Sequence, residues 1–355
     1  MFSAFRPPVC LVAFAIASAS VSFVSLVTSV SRASAQPADV IGTRAQGMAG
    51  AFTAVADDAT ASWWNPAGMA GGAYFNALLE SGTHREPPTD RTSAGDPQSA
   101  WRADTRSLAV AYPALALSYY RLRISEIQPQ PSTGAAPGVR QEGGATEIRL
   151  RSMVLEQFGA SVGQSLGSHL VVGSTFKLLH GGAVSDVQGA GTGSLDGAAS
   201  LDPPSETHVG LDVGAMAVLG RARIGVMVRN VTDTRFGSGT DAFTLSRQAR
   251  VGAALSSGSR GVIGSATLAI DADLNTMTTV FGEERRVAAG GEAWTSARTI
   301  GVRAGVSVNT LAAHRTAVSG GLSAALKKGL YADGELTGGT DQGRRGWGAG
   351  LRVTF

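Results

Sequence analysis

The chain has 355 residues, of which 43% are hydrophobic and only 16% are charged, and 47 of them are glycine. Its 30 basic residues nearly balance 27 acidic ones, which argues against a nucleic-acid-binding protein, since such proteins concentrate basic charge on one face. Past the N-terminal region there is no second long apolar run, so the composition favours one large β-barrel over two soluble domains.

The first element is a leader. Arg6 is the only charge before an apolar and small-residue stretch at 9–30, and Ala33-Ser34-Ala35 matches the small-residue pattern of a cleavage site. Residues 1–35 are therefore predicted to be a secretory signal peptide cleaved near Ala35; a signal anchor is the alternative, because the stretch approaches the length of a spanning helix. The single cysteine, Cys10, lies in the leader, so we expect no disulfide, no metal site and no cofactor.

Residues 36–72 do not alternate as strands do. Met48, Phe52 and Val55 recur at helical spacing, which predicts a short helix with one apolar face. Further on, Asn65 precedes a proline, so the chain leaves helical geometry there. A segment this apolar needs burial, and we expect it to form a hatch or plug inside a barrel.

From residue 73 onward the chain alternates between apolar and polar residues. Fourteen strand candidates follow: 73–82, 104–112, 114–123, 146–164, 168–180, 206–219, 221–231, 243–256, 261–274, 284–294, 298–308, 315–326, 329–338 and 344–355. The last is the clearest, because large apolar residues ending at Phe355 alternate with glycine, arginine and threonine.

The connections alternate in length. Long segments at 83–103, 124–145 and 181–205 follow odd-numbered candidates, whereas short turns follow even-numbered ones. Tight periplasmic turns and longer external loops are typical of outer-membrane barrels. The fold class predicted for 73–355 is all-β, a transmembrane antiparallel β-barrel of about fourteen strands, with both termini in the periplasm. The alternative is a soluble β-sandwich, which does not account for a final strand that ends at Phe355.

Two loop and side-chain features have alternative interpretations. The low-complexity stretch 181–200 is expected to be a flexible external loop, or else a plug folded into the lumen. Aromatic residues near strand ends are expected to be membrane-interface anchors, with ordinary packing as the alternative: Trp101, Tyr112, Tyr119, Tyr120, Trp294, Tyr331 and Trp347.

A motif in the N-terminal segment points to a family. It comprises Gly42-Thr43-Arg44-Ala45, Gly47-Met48-Ala49-Gly50-Ala51-Phe52, Ala54-Val55-Ala56-Asp57-Asp58-Ala59 and Trp64-Asn65-Pro66-Ala67-Gly68-Met69-Ala70. This pattern resembles the FadL-type superfamily of outer-membrane transporters for hydrophobic compounds, and it is most similar to the PorV-like, TraF-like branch. The resemblance implies a hatch with an Asn-Pro-Ala motif inside a fourteen-stranded barrel.

Charged residues occur on the polar faces of the strand candidates. We expect the following to line the lumen: Arg149, Arg151, Asp212, Arg223, Arg250, Asp271, Glu292, Arg303 and Arg352. Opposite charges on neighbouring strands favour a salt-bridge lattice that holds the wall. A path selective for anions is the alternative.

No enzymatic activity is expected. Residues 159–163 match the G-x-S-x-G pattern, but that motif needs a strand-to-helix turn and here it lies inside a long alternating strand. The five histidines show no spacing typical of a metal site or a triad.

The predicted function is passive uptake of small hydrophobic or amphipathic compounds through a hatch-gated lumen in the bacterial outer membrane. The candidate ligand and hatch residues are Met48, Phe52, Trp63, Trp64, Asn65, Pro66, Ala67, Gly68 and Met69. The expected partners are membrane lipid, a small apolar ligand, and the barrel-assembly machinery through the strand ending at Phe355, but no nucleic acid. The alternative is a PorV-like barrel that serves protein secretion, surface anchoring or envelope structure, with secreted proteins as partners.

Overall fold

The computed structural model of the protein describes residues 41–86, 99–130, 147–189, 193–279, 282–311 and 314–355. The predicted signal peptide at 1–35, with Cys10, lies outside the described residues. Within them, no helix is both long and apolar enough to cross a membrane.

The described residues form eighteen strands and a few short helices. The strands are β1 (Asn76–Glu86), β2 (Ala100–Tyr112), β3 (Leu115–Gln130), β4 (Glu147–Leu166), β5 (Leu170–Gly189), β6 (Glu206–Leu219), β7 (Ala222–Arg229), β8 (Thr234–Phe236), β9 (Phe243–Leu245), β10 (Gln248–Ser257), β11 (Ile263–Asp273), β12 (Met277–Thr279), β13 (Gly282–Glu284), β14 (Arg286–Thr295), β15 (Ile300–Asn309), β16 (Thr316–Lys327), β17 (Leu330–Gly339) and β18 (Gly346–Thr354). The α-helices are α1 (Thr43–Gly47), α2 (Ala61–Trp64) and α3 (Leu195–Ser200), and the 3₁₀ helices are η1 (Pro66–Gly71), η2 (Gly239–Asp241) and η3 (Gln342–Arg344).

Fourteen of these strands close into one antiparallel barrel. Each pairs with its neighbour along the chain, and β1 pairs with β18, with Leu79 opposite Leu351, to close the sheet. The short strands β8–β9 and β12–β13 form two separate hairpins within long connections. The predicted fourteen-stranded antiparallel barrel is therefore confirmed.

The wall has two chemically different faces because neighbouring side chains of a strand point to opposite sides. Outward residues such as Leu268 and Leu336 are 68% and 70% exposed and apolar, while inward residues such as Asp271 and Glu335 are buried and charged. A soluble protein has the reverse arrangement, with apolar residues inside and polar residues outside. An apolar exterior with a polar interior is typical of a membrane barrel.

The strand ends that flank the long connections lie together at one end of the barrel, which we call the long-loop end; the tight turns lie at the other, the short-turn end. Three neighbouring strands, β3 to β5, contain 16, 20 and 20 residues. β3 and β5 extend seven and nine residues further toward the long-loop end than the alternation predicted, whereas β4 begins within one residue of its predicted start; the added residues of β3 and β5 still pair in register with β4.

The expectation of a flexible loop at 181–200 is wrong for the described residues. Residues 181–189 complete β5, and α3 packs Ala198 against Ile148 and Leu150 on the outer face of β4. The side chain of Arg123 donates to the carbonyl of Ala199 from that same outer face. The connection therefore covers the exterior of the wall and does not fold into the lumen.

The expectation of interface anchors is also wrong for some of the aromatic residues. Trp101, Tyr120, Trp294 and Tyr331 are only 2–7% exposed and lie on the inner face. Their position in the pleat puts them inward, where they pack against neighbouring side chains. Trp347 and Tyr112, by contrast, are about half exposed on the outer face.

Candidate functional site

Residues 41–72, which we call the interior segment, contact strands all around the barrel. Glu80 on β1 accepts a hydrogen bond from the Thr43 amide at 3.1 Å. On the far side, Asp271 on β11 accepts from the amides of Phe52 and Thr53 at 3.0 and 2.8 Å. Since β1 and β11 are far apart in the strand order, the segment crosses the interior.

Glycines of the wall make room for this segment. A Cβ at Gly290 or Gly305 would overlap the backbone of Met48, and a Cβ at Gly214 would overlap Oδ1 of Asn65. Glycine is therefore required at these wall positions by the close approach of the interior segment.

Arg44, on α1, is the central charge of the segment. Its guanidinium donates to both oxygens of Glu292, at 2.8 and 2.7 Å, and to Asp57 and Asp58 at 2.5 and 3.0 Å. Burial alone would lower the pKa of Arg44, but the charges of Asp57 and Glu292 raise it, so the net pKa lies well above its ordinary value. The side chain is thus a permanently charged tie between the segment and β14.

The ion pairs continue along the inner wall from that point. Nε of Arg303 lies 2.6 Å from Glu292, and Nε of Arg352 lies 2.9 Å from Asp333, which also faces Arg303 at 3.5 Å. Side chains of alternating charge therefore connect the inner faces of β14, β15, β17 and β18. Double use of each carboxylate holds the side chains in one arrangement.

The other predicted lattice residues also lie on the inner face. Arg223 joins this network through Asp57, and the rest make separate contacts. Arg250 pairs with Asp273 at 2.8 Å, Asp212 with Lys177 at 2.7 Å, Arg223 with Asp57 at 3.6 Å and Arg151 with Glu126 at 3.5 Å. Asp271 instead holds the segment backbone, and Arg149 is half-buried near the long-loop end of β4. The sequence indicated Asp273 and Asp333 as charges on the polar faces, but it had not indicated Arg44 as a connecting group.

Asn65 and Pro66 fix the turn of the segment. Oδ1 of Asn65 accepts from the Ala67 amide at 3.1 Å and caps η1, while Nδ2 donates to the Thr53 carbonyl at 2.9 Å. Pro66 occupies the first turn of η1, where no amide hydrogen is needed. Gly68 cannot be replaced, because a Cβ there would overlap the Ala56 carbonyl.

The two tryptophans have different surroundings. Trp64 is fully buried, donates from Nε1 to the Ile41 carbonyl at 3.1 Å and packs edge-on against Phe52. Trp63 packs edge-on against Tyr120 of β3 at 5.3 Å and lies beneath Arg229 at 4.2 Å. Trp64 therefore belongs to the core of the segment, and Trp63 to its contact with the wall.

The remaining predicted ligand residues are tightly packed. Met48, Phe52 and Met69 belong to one buried apolar cluster, and Ala67 packs against Val171 and Met216. Two spaces beside the segment, one next to Trp64 and one next to Thr43, measure about 10 Å³ each. That is room for about one water molecule each. A ligand beside these residues therefore requires movement of the segment.

A second apolar cluster, which we call the mouth cluster, lies inside the barrel at the long-loop end. It consists of Trp101, Ala103, Leu122, Ile124, Met153, Leu155, Leu179, Ala183, Phe236, Phe243 and Leu245. Phe236 and Phe243 come from the β8–β9 hairpin and stack at 4.9 Å with 11° between their planes. The hairpin thus packs against apolar residues of β2 to β5 and covers them.

The mouth cluster is continuous with the interior segment. Ile124, Leu122 and Tyr120 follow one another on the inner face of β3, and Tyr120 contacts Trp63. Sequence analysis missed the hairpin; a signal was available in Phe236 and Phe243 flanking a glycine-containing turn.

The described residues contain no group of three or more histidine, cysteine, aspartate or glutamate side chains able to hold a metal ion. The candidate site consists of the packed interior segment, an ion-pair network on the wall and the apolar mouth cluster.

Comparisons with known structures show the same fold. The chain resembles the "CymD monoaromatic hydrocarbon channel" (TM-score 0.56, 14% identity, 89% of this chain and 97% of that one) and the Ralstonia pickettii toluene transporter TbuX (0.56, 12%, 89% and 98%). It also resembles a Pseudomonas aeruginosa FadL homologue (0.55, 11%, 91% and 99%). No curated protein has a significantly similar sequence.

The predicted FadL-type resemblance is thereby confirmed as a likeness of fold. At the level of sequence, a family model described as "F plasmid transfer operon, TraF, protein" matches residues 12–273, about three quarters of the chain. The chain therefore belongs to this TraF family.

Proposed function

We propose that this protein is a bacterial outer-membrane barrel that passively transports small hydrophobic or amphipathic compounds, with the interior segment as its hatch. The apolar outer face supports the location, because a closed sheet with no free edge is one of the two backbone arrangements that hydrocarbon tolerates. The long-loop end is then external and the short-turn end periplasmic. The shared fold with proteins named as hydrocarbon channels is consistent with such a cargo.

One observation carries this proposal: the apolar stripe that joins the mouth cluster to the hatch. An apolar compound gains free energy by leaving water for contacts with the apolar mouth-cluster residues Leu122, Ile124 and Met153. At the inner end of the mouth cluster, the stripe ends on the contact between Tyr120 and Trp63, so the floor of the mouth cluster belongs to the hatch.

Two polar groups at this floor suit an amphipathic compound. Nε1 of Trp63 and Nε2 of Gln157 are buried and have no hydrogen-bond partner among the described residues. Gln157 lies directly opposite Tyr120 in the β3–β4 register, so both donors lie close to the same aromatic ring. A hydroxyl or carbonyl oxygen of a ligand would satisfy a donor that is costly to leave unpaired.

The proposed route has three steps. The β8–β9 hairpin moves and admits the compound to the mouth cluster. The compound then lies between the wall and Trp63, and a shift of the hatch or a gap in the wall releases it. Net uptake follows the concentration gradient of the compound, so no energy source is needed.

Uptake of radiolabelled naphthalene by Gram-negative cells tests the proposal. Cells that produce the protein should accumulate the label several-fold faster than cells with an empty vector. Asn65→Ala, which loosens the hatch, should change the rate. Equal rates with and without the protein would overturn the proposal.

A second candidate function is a barrel that does not transport and serves protein secretion, anchoring or envelope structure. The small spaces beside the hatch and its multiple ion pairs favour this alternative, because both indicate a rigid interior. It predicts no naphthalene uptake and capture of envelope proteins through the external loops.

The predicted cleavage near Ala35 and recognition of the last strand by the barrel-assembly machinery belong to the same proposal. N-terminal sequencing of the mature protein should begin at Gln36.

A further inference from the structure

The outer face of the barrel is uneven in charge. On β14 to β18 every described outward position is apolar, glycine or threonine, as at Val302, Leu322 and Leu336. On β2 and β3 the outward positions toward the long-loop end carry four arginines, Arg102, Arg106, Arg121 and Arg123. We call this group the arginine patch.

The strand register locates the patch at the edge of the apolar belt. Leu79, Leu108, Tyr119 and Phe158 lie opposite one another across β1 to β4 and form the last apolar row. The next outward row consists of Ser81, Arg106, Arg121 and Glu156. One step along the strands therefore leads from hydrocarbon-facing side chains to guanidinium groups, at the level where lipid headgroups would lie.

The patch is not neutralised by its neighbours. Arg106 and Arg121 lie directly opposite one another on β2 and β3, an arrangement of like charges that destabilises a sheet. Arg121 pairs with Glu156 at 3.1 Å, but Arg106 forms no ion pair within the part of the chain that the structure describes.

The other two arginines differ in their partners. Arg102 pairs with Asp104 at 3.0 Å and with Asp196 at 2.9 Å, but the Asp196 side chain is 88% exposed and screened by solvent. Arg123 donates to a backbone carbonyl of α3 and pairs with no carboxylate among the described residues. Positive charge is therefore left over on Arg106 and Arg123.

These side chains enclose a groove. Its volume is about 500 Å³, and it is lined by the four arginines, by Trp347, and by Asp104, whose carboxylate is held by Thr83 and Arg102. This volume is within the range of small-molecule sites. Guanidinium groups bind phosphate oxygens through paired hydrogen bonds, and the adjoining Trp347 and Leu108 supply apolar surface for an acyl chain.

We propose that the arginine patch binds the phosphate of a phosphorylated lipid in the outer leaflet of the membrane; this rests on the outer-membrane location proposed above. The position of the patch at the edge of the apolar belt favours a lipid over a free anion. The bound phosphate offsets the repulsion between Arg106 and Arg121, and fixes the β2–β4 side of the barrel at one depth in the membrane.

Native mass spectrometry of the detergent-solubilised protein tests this, with diphosphorylated lipid A, its dephosphorylated form and inorganic phosphate as probes. The wild type should retain one diphosphorylated lipid A. Arg106→Gln/Arg123→Gln should bind it at least tenfold more weakly. The matched control Arg235→Gln/Arg345→Gln removes the same charge from exposed positions in the long connections and should bind as the wild type does.

Three outcomes would overturn the proposal. They are equal binding by the patch variant, equal wild-type binding of the dephosphorylated lipid, and full displacement of the lipid by millimolar inorganic phosphate, which would indicate a free-anion site. The comparison of the two lipids uses the wild type, so it decides the question even if the variant does not fold. Lipid binding is measured without naphthalene, so its failure is distinct from failure of transport.

Discussion

Arg44 and Glu292 are 248 residues apart in the chain, yet two nitrogens of the arginine lie 2.8 and 2.7 Å from the two oxygens of the glutamate. The pair joins the interior segment to β14 by a fork that matches both groups. Because Glu292 also binds Arg303, the tie continues into the ion pairs of the wall. The segment is therefore attached to the barrel by charge as well as by apolar packing.

Arg44→Met should weaken this attachment. The variant leaves Asp57 and Asp58 without their central partner, and removing one member of a buried ion pair costs about 3–5 kcal/mol. We expect a lower urea midpoint in lipid vesicles and faster proteolysis of the interior segment. Arg44→Lys retains the positive charge but loses the two-nitrogen contact with Glu292, so its urea midpoint should lie between those of Arg44→Met and the wild type. Identical midpoints for Arg44→Met and wild type would show that the tie contributes nothing.

Asn65→Ala should release the turn of the hatch. The variant loses the cap of η1 and the hydrogen bond to Thr53, and loss of such a cap costs about 0.5–2 kcal/mol. Protease accessibility of the segment should rise and naphthalene uptake should change. Ser194→Ala removes the corresponding cap of α3 outside the barrel and is the matched control. The idea fails if both variants have the same effect on uptake.

Gly214→Ala tests the close approach of the segment to the wall. The added methyl group would overlap Oδ1 of Asn65, and overpacking of this kind costs about 1–3 kcal/mol. Thermal stability should fall, and the segment should become easier to cleave. Gly320→Ala is the control, since the nearest atom to its Cβ would be 3.9 Å away. Equal stability of the two variants would contradict the described contact.

Phe236→Ala/Phe243→Ala should open the mouth cluster. Removal of two buried rings leaves an apolar cavity, and such cavities bind apolar molecules. We expect naphthalene to bind about tenfold more tightly to the variant in nanodiscs, after correction for empty nanodiscs. Phe176→Ala removes a ring that is 60% exposed on the outer face and should leave binding unchanged. Weaker binding by the double variant would mean that the two rings form part of the site and do not cover it.

The barrel could be predicted because apolar and polar side chains alternate along each strand with a period of two residues. In β18, each apolar residue from Trp347 to Phe355 faces outward, so the pattern alone gives the face. The long-loop ends of β3 and β5 were not predicted, because apolar and polar residues no longer alternate strictly beyond the apolar belt. There Ile148 and Leu150 are covered by α3, and the outward face is no longer defined by lipid.

The site was less predictable, since its contacts join distant parts of the chain. Helical spacing located Met48 and Phe52 in a buried segment, but nothing local connects Arg44 with Glu292. The inward position of the Trp294 side chain also depends on the register of β14, because a slip of one residue would turn that side chain to the outer face. The period-two pattern therefore predicts which side chains form the two faces of the wall. The contacts between side chains inside the lumen cannot be predicted in this way, because they form only when the barrel closes.

A reversible lock of the interior segment tests the central claim most directly. In Gly47→Cys/Gly321→Cys, made in a Cys10→Ser background, the new side chains would join α1 to β16, because a Cβ at Gly47 would lie 3.2 Å from the Cα of Gly321. If the segment is a hatch, naphthalene uptake should stop when the disulfide forms and return on reduction, while both single-cysteine variants respond to neither treatment. Equal uptake by the oxidised and reduced double variant would show that compounds do not pass by movement of this segment.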